Sequence, residues 1–401
     1  MAASRLHILL VPAWYPSATN TNGVFVKDQG EALVNAGHKV AVLVVNYFSF
    51  GAWLRKWLNG GFTAYDQSRL VSLIEVNCVF IRPLRFVKDK NRYMQETVAA
   101  KVLRRMKHYA AVAGTPDVLH HHCLSDNAFL TERLSRLWNR PYLLTEHSPY
   151  RTDAELNKFN PFETFADRER FVKNAALRIA VSRYWANFYE AIYNAPYTVI
   201  PNMVDRIFDG PVTAQKNEAF TFCCVAFLDK HKNQSGLLKA FAMKFKGRAD
   251  VRLELVGNGP AENELKTLTE QEGISGQVIF HGKLPREKVV EVLDHSHVAV
   301  LASFAETFGI ALVEAMFRGL PVVTTACGGP EEFVQPDNGL IAANRNTADL
   351  AEKLEQVFRN YKHYDPLQIA AAARGKFSGA SLVKRLEEEY YSAKKSHLRF
   401  S

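Results

Sequence analysis

The sequence has little of what marks a secreted, disulfide-stapled or membrane-spanning protein. It holds 5 cysteines in 401 residues, an odd number with no paired Cys-x-x-Cys spacing, which argues against a disulfide framework and a zinc knuckle. No apolar run approaches the ~18 residues of a membrane-spanning helix. The apolar stretch at residues 6–11 is too short for the core of a signal peptide. We therefore expect a cytoplasmic protein.

Composition and charge describe an ordinary globular chain with an uneven distribution of basic residues. Hydrophobic residues make up 47% and charged residues 23%, which excludes a disordered chain. The length favours two domains. The net charge is +9: residues 1–205 carry 25 basic and 17 acidic side chains (+8), and residues 206–401 carry 25 and 24 (+1). Residues 82–107 alone hold nine basic and two acidic residues, so an anionic partner is expected there.

Short apolar runs alternate with amphipathic stretches along most of the chain, a pattern typical of β-α-β units with a parallel sheet. The alternation stops near Pro201 and restarts with a strand at residues 220–227. We predict an α/β protein of two Rossmann-like domains. Residues 1–202 form the first domain and 203–379 the second, with the last helix, within 380–401, packing back on the first.

One stretch of the second domain points to phosphate binding. An apolar strand ends at Ala302, Glu306 lies in the following loop, and Gly309 begins a helix that ends before Pro321. A helix N-terminus at the carboxyl edge of a parallel sheet is favourable for a phosphate. Glu314 lies between apolar neighbours, where a lone carboxylate is costly, and either ribose hydroxyls or a neighbouring basic side chain would satisfy it.

Several motifs together resemble the retaining glycosyltransferases of family 4 (group 1), which have the GT-B architecture of two Rossmann-like domains facing a central cleft. The central motif is Glu306, seven residues, Glu314, followed by Gly-Leu-Pro321 and Gly-Gly-Pro-Glu331. Other segments occur in the family's order: Asn22-Gly23-Val-Phe-Val-Lys-Asp-Gln29 with Gly37-His38, residues 117–122, Thr145-Glu146-His147, residues 180–182, Pro201-Asn202, Lys232-Asn-Gln, residues 257–260 and 280–282. The resemblance covers nearly the whole chain.

The resemblance implies roles in donor binding. Glu306 would contact hydroxyls of the donor sugar, and Glu314 would hold the nucleotide ribose. Backbone N–H groups near Phe308 and Gly309, together with Gly23 from the first domain, would cradle the diphosphate. Glycine suits this task because it permits close backbone approach.

The family's phosphate clamp departs from its usual pattern in this chain. The family places an arginine and a lysine after the first strand of the second domain, to neutralise the departing diphosphate. Lys232 matches the lysine, but Phe227 stands at the arginine position. Either Lys230 takes over the missing charge or nothing does, and solvated loop lysines are the alternative for both.

Histidines follow two strands of the first domain. The resemblance implies that His147 contacts the donor sugar near its reacting carbon, as a positioning group, and we assign His147, Glu306 and Lys232 to catalysis. His120, His122 and Asn202 are assigned to the acceptor or sugar side. The His120–His122 triplet lacks a completing ligand set, and no Asp-x-Asp triplet occurs, so we predict no metal. Asp126, Glu146 and Asp153 remain candidates for a carboxylate near the cleft.

These features predict a metal-independent retaining transferase that moves a sugar from a nucleotide sugar, with UDP favoured over GDP, to a glycan or lipid-linked acceptor. Polysaccharide or lipopolysaccharide synthesis would use such an activity. No further cofactor is expected.

A basic amphipathic helix over residues 91–113 and the segment 53–58 fit the inner face of an anionic membrane. A solvated basic face is the open alternative.

Three other functions were weighed. Nucleic-acid binding would use the basic half, but no recognised module occurs. A dinucleotide enzyme is indicated only by Gly257-Asn-Gly259, where a third glycine is missing. A non-catalytic nucleotide-sugar binder or scaffold of the same fold is the main alternative: the intact Glu306 and Glu314 argue against it, and Phe227 argues for it.

Overall fold

The computed structural model describes residues 5–17, 22–50, 54–55, 71–80, 90–125, 127–147 and 164–400. These residues divide between two compact units. The first contains residues of Met1–Val181, Ala186–Ile200 and Leu382–Ser401, and the second contains Ser182–Trp185 and Pro201–Ser381. The chain therefore leaves and re-enters the first unit more than once. Asp126, Asp153 and most of the segment 53–58 lie outside the described residues.

The first unit is built on a seven-stranded parallel sheet in the order β3-β2-β1-β4-β5-β6-β7. The strands are β1 His7–Pro12, β2 Lys39–Ser49, β3 Ser72–Phe80, β4 Val118–His122, β5 Tyr142–Glu146, β6 Leu177–Ala180 and β7 Thr198–Val199. Every residue of β1, β4 and β5 is buried, as expected for central strands covered by helices on both faces. Strand β3 forms one edge of this sheet.

Helices connect these strands in the right order for β-α-β units. They are α1 Val24–Asn35, α2 Lys90–Ala113, α3 Ala128–Trp138, α4 Phe165–Asn174 and α5 Arg183–Tyr193. The last helix of the chain, α12 Gly379–Phe400, packs on the first sheet through Tyr390, which is buried. Polar contacts flank this tyrosine on the helix: Glu387 accepts from His38 at 2.8 Å and Lys394 donates to Asp117 at 2.8 Å.

The second unit has a six-stranded parallel sheet in the order β10-β9-β8-β11-β12-β13. Its strands are β8 Phe220–Val225, β9 Val251–Val256, β10 Val278–Gly282, β11 Val298–Leu301, β12 Val322–Thr325 and β13 Gly339–Ala342. The order reverses between β8 and β11, and ligands bind at the carboxyl ends of strands at such a switch point.

Six helices cover this sheet: α6 Gln234–Phe245, α7 Glu262–Glu272, α8 Arg286–His295, α9 Ile310–Phe317, α10 Thr347–Asn360 and α11 Pro366–Phe377. Phenylalanines of β8 and α6 form the centre of the core on one face. The segment after residue 205 is fixed by buried Arg318, which donates to Asp294 at 2.7 Å and to the Phe208 and Pro211 carbonyls.

The α/β fold class and the two Rossmann-like sheets predicted from the sequence are confirmed by this topology. Two strands escaped the sequence analysis, β3 and β13. Strand β3, SLIEVNCVF, carries Glu75 and Asn77 between apolar residues, an alternation typical of an exposed edge. The apolar run at residues 197–200 predicts a last strand for the first unit, and the structure shortens it to Thr198–Val199.

Candidate functional site

The loop after β11 brings Glu306 to the carboxyl edge of the second sheet. The Glu306 N–H donates to the Cys327 carbonyl at 2.8 Å. Glu306 thereby forms an isolated parallel β-bridge with Gly328, in the segment after β12. The Glu306 carbonyl accepts from the Trp185 indole at 2.9 Å and from the Gly329 N–H at 3.0 Å. The backbone of Glu306 is therefore held from three sides, and its side chain has little freedom to move.

The Glu306 carboxylate meets the side chain of Lys232. Lys232 Nζ lies 2.5 Å from Glu306 Oε1, and the Ser303 hydroxyl donates to the same oxygen at 2.7 Å. The glutamate is 9% exposed, and the lysine and the serine supply hydrogen-bond donors to a carboxyl group that has little contact with water. Two of the three residues assigned to catalysis thus form one pair.

The lysine is brought there by hydrogen bonds between two loops. The Phe304 N–H donates to the His231 carbonyl at 2.9 Å, and Asn233 Nδ2 donates to the Ala302 carbonyl at 3.1 Å. Asn233 also begins α6, with its side-chain oxygen accepting from the Gly236 N–H. The loop containing Lys232 is therefore tied to the loop of Glu306 on both sides of the lysine.

Helix α9 begins directly beside this pair. Gly309 has φ +83°, a left-handed conformation that favours glycine. Helix N-termini leave their first N–H groups without an intrahelical acceptor. Within the part of the chain that the structure describes, the N–H groups of residues 307–311 donate to no carbonyl outside the helix. These donors can receive an oxyanion.

The side chain of Phe308 does not line the site. It is buried and contacts the rings of Phe333 and Phe377 at centroid distances of 5.6 and 5.5 Å. Only the backbone of Phe308 is thus available for the predicted phosphate contact. The packing instead anchors the start of α9 to the core.

Glu314 lies just over one turn into α9 and is half-buried. The sequence indicated a more enclosed position, because its neighbours are apolar. Val313 and Ala315 are buried in the core, whereas the side chain of Glu314 remains partly exposed. The desolvation cost of its carboxylate is therefore smaller than the sequence indicated.

Two positions of the predicted phosphate clamp, the departing residue Phe227 and the candidate replacement Lys230, face solvent. Phe227 is 53% exposed and Lys230 is exposed, whereas Lys232 is half-buried.

The loop that holds Phe227 packs tightly against the loop that holds Gly257 and Gly259. A Cβ on Gly257 would lie 1.9 Å from the Ala226 carbonyl oxygen, and one on Gly259 would lie 2.2 Å from that of Leu228. These glycines serve the contact between neighbouring loops, which accounts for the motif that weakly resembled a dinucleotide site.

In the first unit, His120, His122 and His147 form a stack. The rings of His120 and His122 are 4.2 Å apart and those of His122 and His147 are 5.3 Å apart. His120 and His122 are buried and His147 is half-buried. His147 also packs against the ring of Phe25 at 4.1 Å. Of the three rings, His147 is the most accessible to a ligand.

Hydrogen-bonding contacts connect this stack to polar neighbours. Gln29 Nε2 lies 3.4 Å from both His120 Nδ1 and His122 Nε2. His122 Nδ1 lies 3.0 Å from His147 Nε2. His120 Nδ1 lies 2.6 Å from the Tyr390 hydroxyl, and its Nε2 lies 2.7 Å from the Thr145 hydroxyl. Each buried ring is therefore held by at least two polar neighbours.

The three histidines of strand β4 are neutral. Burial lowers the pKa of His120 and of His121 to about 3, and burial with the neighbouring histidines holds the pKa of His122 well below its usual range. His121 points to the other face, where Thr131 lies 2.8 Å from its Nδ1. Among the described residues no group of three His, Cys, Asp or Glu side chains has the arrangement of a metal site.

The remaining candidates occupy different surroundings. Gly23 begins α1 with φ +79°, and a Cβ there would lie 2.1 Å from the Trp14 carbonyl oxygen, so the fold of the first unit itself requires glycine. Asn202 is half-buried, in the stretch of chain between the two series of strands. Glu146 is 1% exposed, and burial raises its pKa to about 8. It is therefore largely protonated at neutral pH.

Sequence reasoning missed the residues that support the site. Ser303, Trp185 and Tyr390 contact Glu306 or the histidine stack, yet Trp185 is 121 positions from Glu306 and Tyr390 is 270 from His120. Only Ser303, three residues before Glu306, gave a local signal.

No described helix combines the length and apolar character that a membrane span requires.

Comparison with protein families finds a match for most of the chain. Residues 23–207 match the model of glycosyltransferase family 4, and residues 205–374 match that of the glycosyl transferases group 1. The two matches overlap at residues 205–207, between the last strand of the first sheet and the first strand of the second. Together they include every residue assigned to the site.

Two curated relatives illustrate the range of similarity. The N-acetyl-alpha-D-glucosaminyl L-malate synthase of Bacillus anthracis is 30% identical over 165 residues, 40% of this chain and 42% of that protein. The D-inositol 3-phosphate glycosyltransferase of Arthrobacter sp. (strain FB24) is 26% identical over 301 residues, 70% of this chain and 71% of that protein. The match to the synthase thus spans less than half of that relative's length.

A solved structure shares the fold across almost the whole chain. The crystal structure of HepE from Anabaena in complex with UDP-glucose has a TM-score of 0.68 at 17% identity and covers 97% of this chain and 100% of that one. At this identity the likeness shows the fold, which is GT-B. Motifs, family models and fold agree, and the chain belongs to the group 1 glycosyltransferases of family 4.

Proposed function

We propose that this protein is a retaining glycosyltransferase that takes a sugar from a nucleotide-sugar donor. The observation that carries the proposal is the Lys232–Glu306 pair beside the open N-terminus of α9. It joins a cation, a hydroxyl-binding carboxylate and free backbone N–H donors within one loop cluster. A donor that carries both a diphosphate and sugar hydroxyls matches this set of groups. The Anabaena neighbour bound to UDP-glucose supports a UDP-sugar over a GDP-sugar.

In this proposal the loops divide the donor between them. The N–H groups of residues 307–311 and Lys232 would receive the diphosphate, and Glu306 would accept from sugar hydroxyls. Glu314 would accept from the ribose. Lys230 is exposed and near enough in sequence to take the place of the arginine that Phe227 replaces. We expect no metal, because lysine and helix N–H groups supply the positive charge.

The transfer step needs no enzymic nucleophile. The bond between the anomeric carbon and the diphosphate oxygen breaks, and its electron pair stays with the leaving diphosphate. The acceptor hydroxyl oxygen bonds to the same face of that carbon, while its proton passes to a diphosphate oxygen. His147, held through His122, would position the sugar. Glu146 is buried and protonated, which makes it unsuitable as a carboxylate nucleophile.

The acceptor is proposed to be a glycan or a lipid-linked sugar, in the synthesis of a surface polysaccharide or lipopolysaccharide. The basic helix α2 supports an acceptor or membrane surface of negative charge. Arg82, Arg85 and Lys88 of the same basic stretch lie outside the described residues. Cytoplasmic location and contact with the inner membrane face belong to this proposal.

A donor screen tests the proposal. Thermal unfolding is followed with UDP-, GDP- and ADP-sugars, since a ligand that binds the folded state raises the unfolding temperature by mass action. We expect UDP-sugars to give the largest shift. Transfer is then assayed in Glu314→Ala and Lys232→Ala, which should lose activity by about 100-fold or more and still fold. Full activity in both variants would contradict the site.

The screen also separates transfer from the non-catalytic alternative, which the exposed Phe227 favours. A scaffold would bind a donor without consuming it, so donor shifts without release of nucleoside diphosphate would favour that function. No shift with any donor would contradict donor binding itself. Lys239→Ala is the matched control, because Lys239 is an exposed lysine on α6 away from the Glu306 loop.

A further inference from the structure

The first unit has an open cleft of about 470 Å³ between its edge strand and its basic helix. Strand β3 provides Glu75 and Asn77 to one wall. Helix α2 provides Lys101, Arg104, Arg105 and His108 to the other. The cleft is therefore a concave site in which four basic side chains face a single carboxylate.

The helix builds this basic wall by its periodicity. Residues 101, 104, 105 and 108 follow the i, i+3, i+4, i+7 spacing that places side chains on one helix face. Val98, Val102 and Met106 occupy a different face and are buried. Packing of the apolar face against the unit fixes which way the basic stripe points. The sequence alone showed the charge but not the strand that closes the cleft.

The cations of the cleft exceed its carboxylate. Lys101, Arg104 and Arg105 give +3 and Glu75 gives −1, a balance of +2 before His108 is counted. Glu75 Oε1 accepts from Asn46 at 3.0 Å, and the Lys101 ammonium donates to the Asn77 carbonyl. The ion pairs found among the described residues do not involve Arg104 or Arg105, so both guanidinium groups can receive an anion.

We propose that this cleft binds a phosphoryl group. Two neighbouring guanidinium groups present paired N–H donors that match the oxygens of a phosphate. The ligand is either a soluble phosphate ester or the phosphate of an anionic lipid headgroup, and the same contacts serve both. Neighbouring exposed charges of one sign repel each other, and a bound phosphate relieves that repulsion.

The cleft is separate from the histidine stack. Strands β2, β1 and β4 lie between β3 and β5, and four inter-strand steps of ~4.8 Å place the cleft about 19 Å from β5. The cleft also lies beside the middle of β3, while His147 follows the carboxyl end of its strand. Phosphoryl binding here does not depend on the proposed sugar transfer.

The test compares two variants of equal charge. Arg104→Gln/Arg105→Gln removes two cations from the cleft. Lys107→Gln/Lys395→Gln removes two exposed cations of the same unit that do not line it. Circular dichroism checks that both remain folded, which is expected because all four side chains are exposed. Calorimetry with inorganic phosphate is run in chains that also carry Lys232→Ala, so that the donor site does not contribute.

A second arm measures co-sedimentation with phosphatidylcholine vesicles that contain or lack phosphatidylglycerol. The salt concentration is kept low because salt screens the attraction between exposed charges. We expect the arginine variant to lose about fivefold in affinity for each arginine removed and the lysine control to lose little. Loss in the phosphate arm alone identifies a soluble ester, and loss in the vesicle arm, with or without loss in the phosphate arm, identifies a lipid phosphate. Equal binding by both variants in both arms would overturn the proposal, whatever the outcome of the donor screen.

Discussion

Two buried glutamates show how neighbours decide the state of a carboxyl group. Glu306 lies beside an ammonium and a hydroxyl, at 2.5 and 2.7 Å. Glu146 is equally withdrawn from solvent, but its Oε2 accepts from the Leu124 N–H at 3.3 Å and its Oε1 is an unpartnered buried atom among the described residues. Burial therefore raises the pKa of Glu146 to about 8, and the protonated form is the one that the fold accommodates.

Glu146→Gln should stabilise the protein in mildly alkaline solution. The folded-state pKa is raised, so the stability that protonation contributes is fully present below pH ~4.5 and is lost as pH rises through ~8, at up to ~1.4 kcal/mol per pH unit. Glutamine carries no such dependence. The free energy of unfolding from urea denaturation should favour the variant at pH 8 by about 1–3 kcal/mol and much less at pH 5.

Glu388→Gln is the control for that comparison, because Glu388 is exposed on α12 of the same unit. Its free energy of unfolding should follow that of the unchanged protein at both pH values. An advantage of Glu146→Gln that is as large at pH 5 as at pH 8 would show that Glu146 is ionised in the fold.

Single residues of the site were predictable where the signal is local. Glu306, Lys232 and Gly309 stand in short motifs whose spacing places them at strand and helix ends. The pairing of Lys232 with Glu306 was not predictable, since 74 residues separate them and only the bonded loops bring them together. Gly23 was assigned to the diphosphate, while the structure also gives it a role against Trp14.

At the scale of elements, the start of α9 depends on close packing of two loops. Gly329 lies against the loop before the helix: a Cβ there would be 2.3 Å from the Thr307 carbonyl oxygen and 2.6 Å from Phe308 Cα. Both of these neighbours are backbone and cannot rotate away. The N–H groups offered to a diphosphate therefore have positions that Gly329 helps to set.

Gly329→Ala should destabilise the second unit by about 1–3 kcal/mol, the usual cost of overpacking, and weaken donor binding as α9 shifts. Gly375→Ala is the matched control, since Gly375 lies in α11 with nothing within 4 Å of an added Cβ. That change should be neutral or stabilising by roughly 0.5–1 kcal/mol. Thermal unfolding with and without UDP measures both effects, and equal behaviour of the two variants would contradict the packing argument.

Most elements were predictable because buried parallel strands are apolar runs flanked by loops. The apolar runs at residues 142–146 and 251–256 predict two strands, and β5 and β9 occupy these same residues in the structure. Strand β3 was missed because an edge strand alternates polar and apolar residues, and β13 because its four residues begin with glycine. Their assignment depends on the neighbouring strand, which the local sequence does not specify.

On the scale of the whole molecule, two kinds of buried group make the free energy of unfolding depend on pH in opposite directions. The stability that Glu146 contributes is largest in acid, whereas the stability that the histidines of β4 contribute is largest in neutral or alkaline solution. His120, His121 and His122 stay neutral in the fold, but in the unfolded chain they take up protons below pH ~6.5. The unfolded state binds more protons, so stability falls as pH drops from ~6.5 toward ~3.

His121→Gln should flatten this acid dependence. Each buried histidine contributes up to ~1.4 kcal/mol per pH unit below its unfolded pKa, and His121 lies on the sheet face opposite the histidine stack. The free energy of unfolding is measured in urea at pH 7, 6 and 5, with His363→Gln as control because His363 is exposed. An unchanged slope in His121→Gln would mean that His121 becomes charged in the folded protein.

We expect the second unit to bind the diphosphate of a donor at Lys232 beside α9. Calorimetric titration with UDP measures this binding in the unchanged protein, in Lys232→Met and in the control Lys239→Met. We predict that Lys232→Met weakens binding about tenfold to a hundredfold, the value of a charge-assisted contact, while Lys239→Met leaves the Kd unchanged. Equal Kd values for Lys232→Met and the unchanged protein would contradict the account.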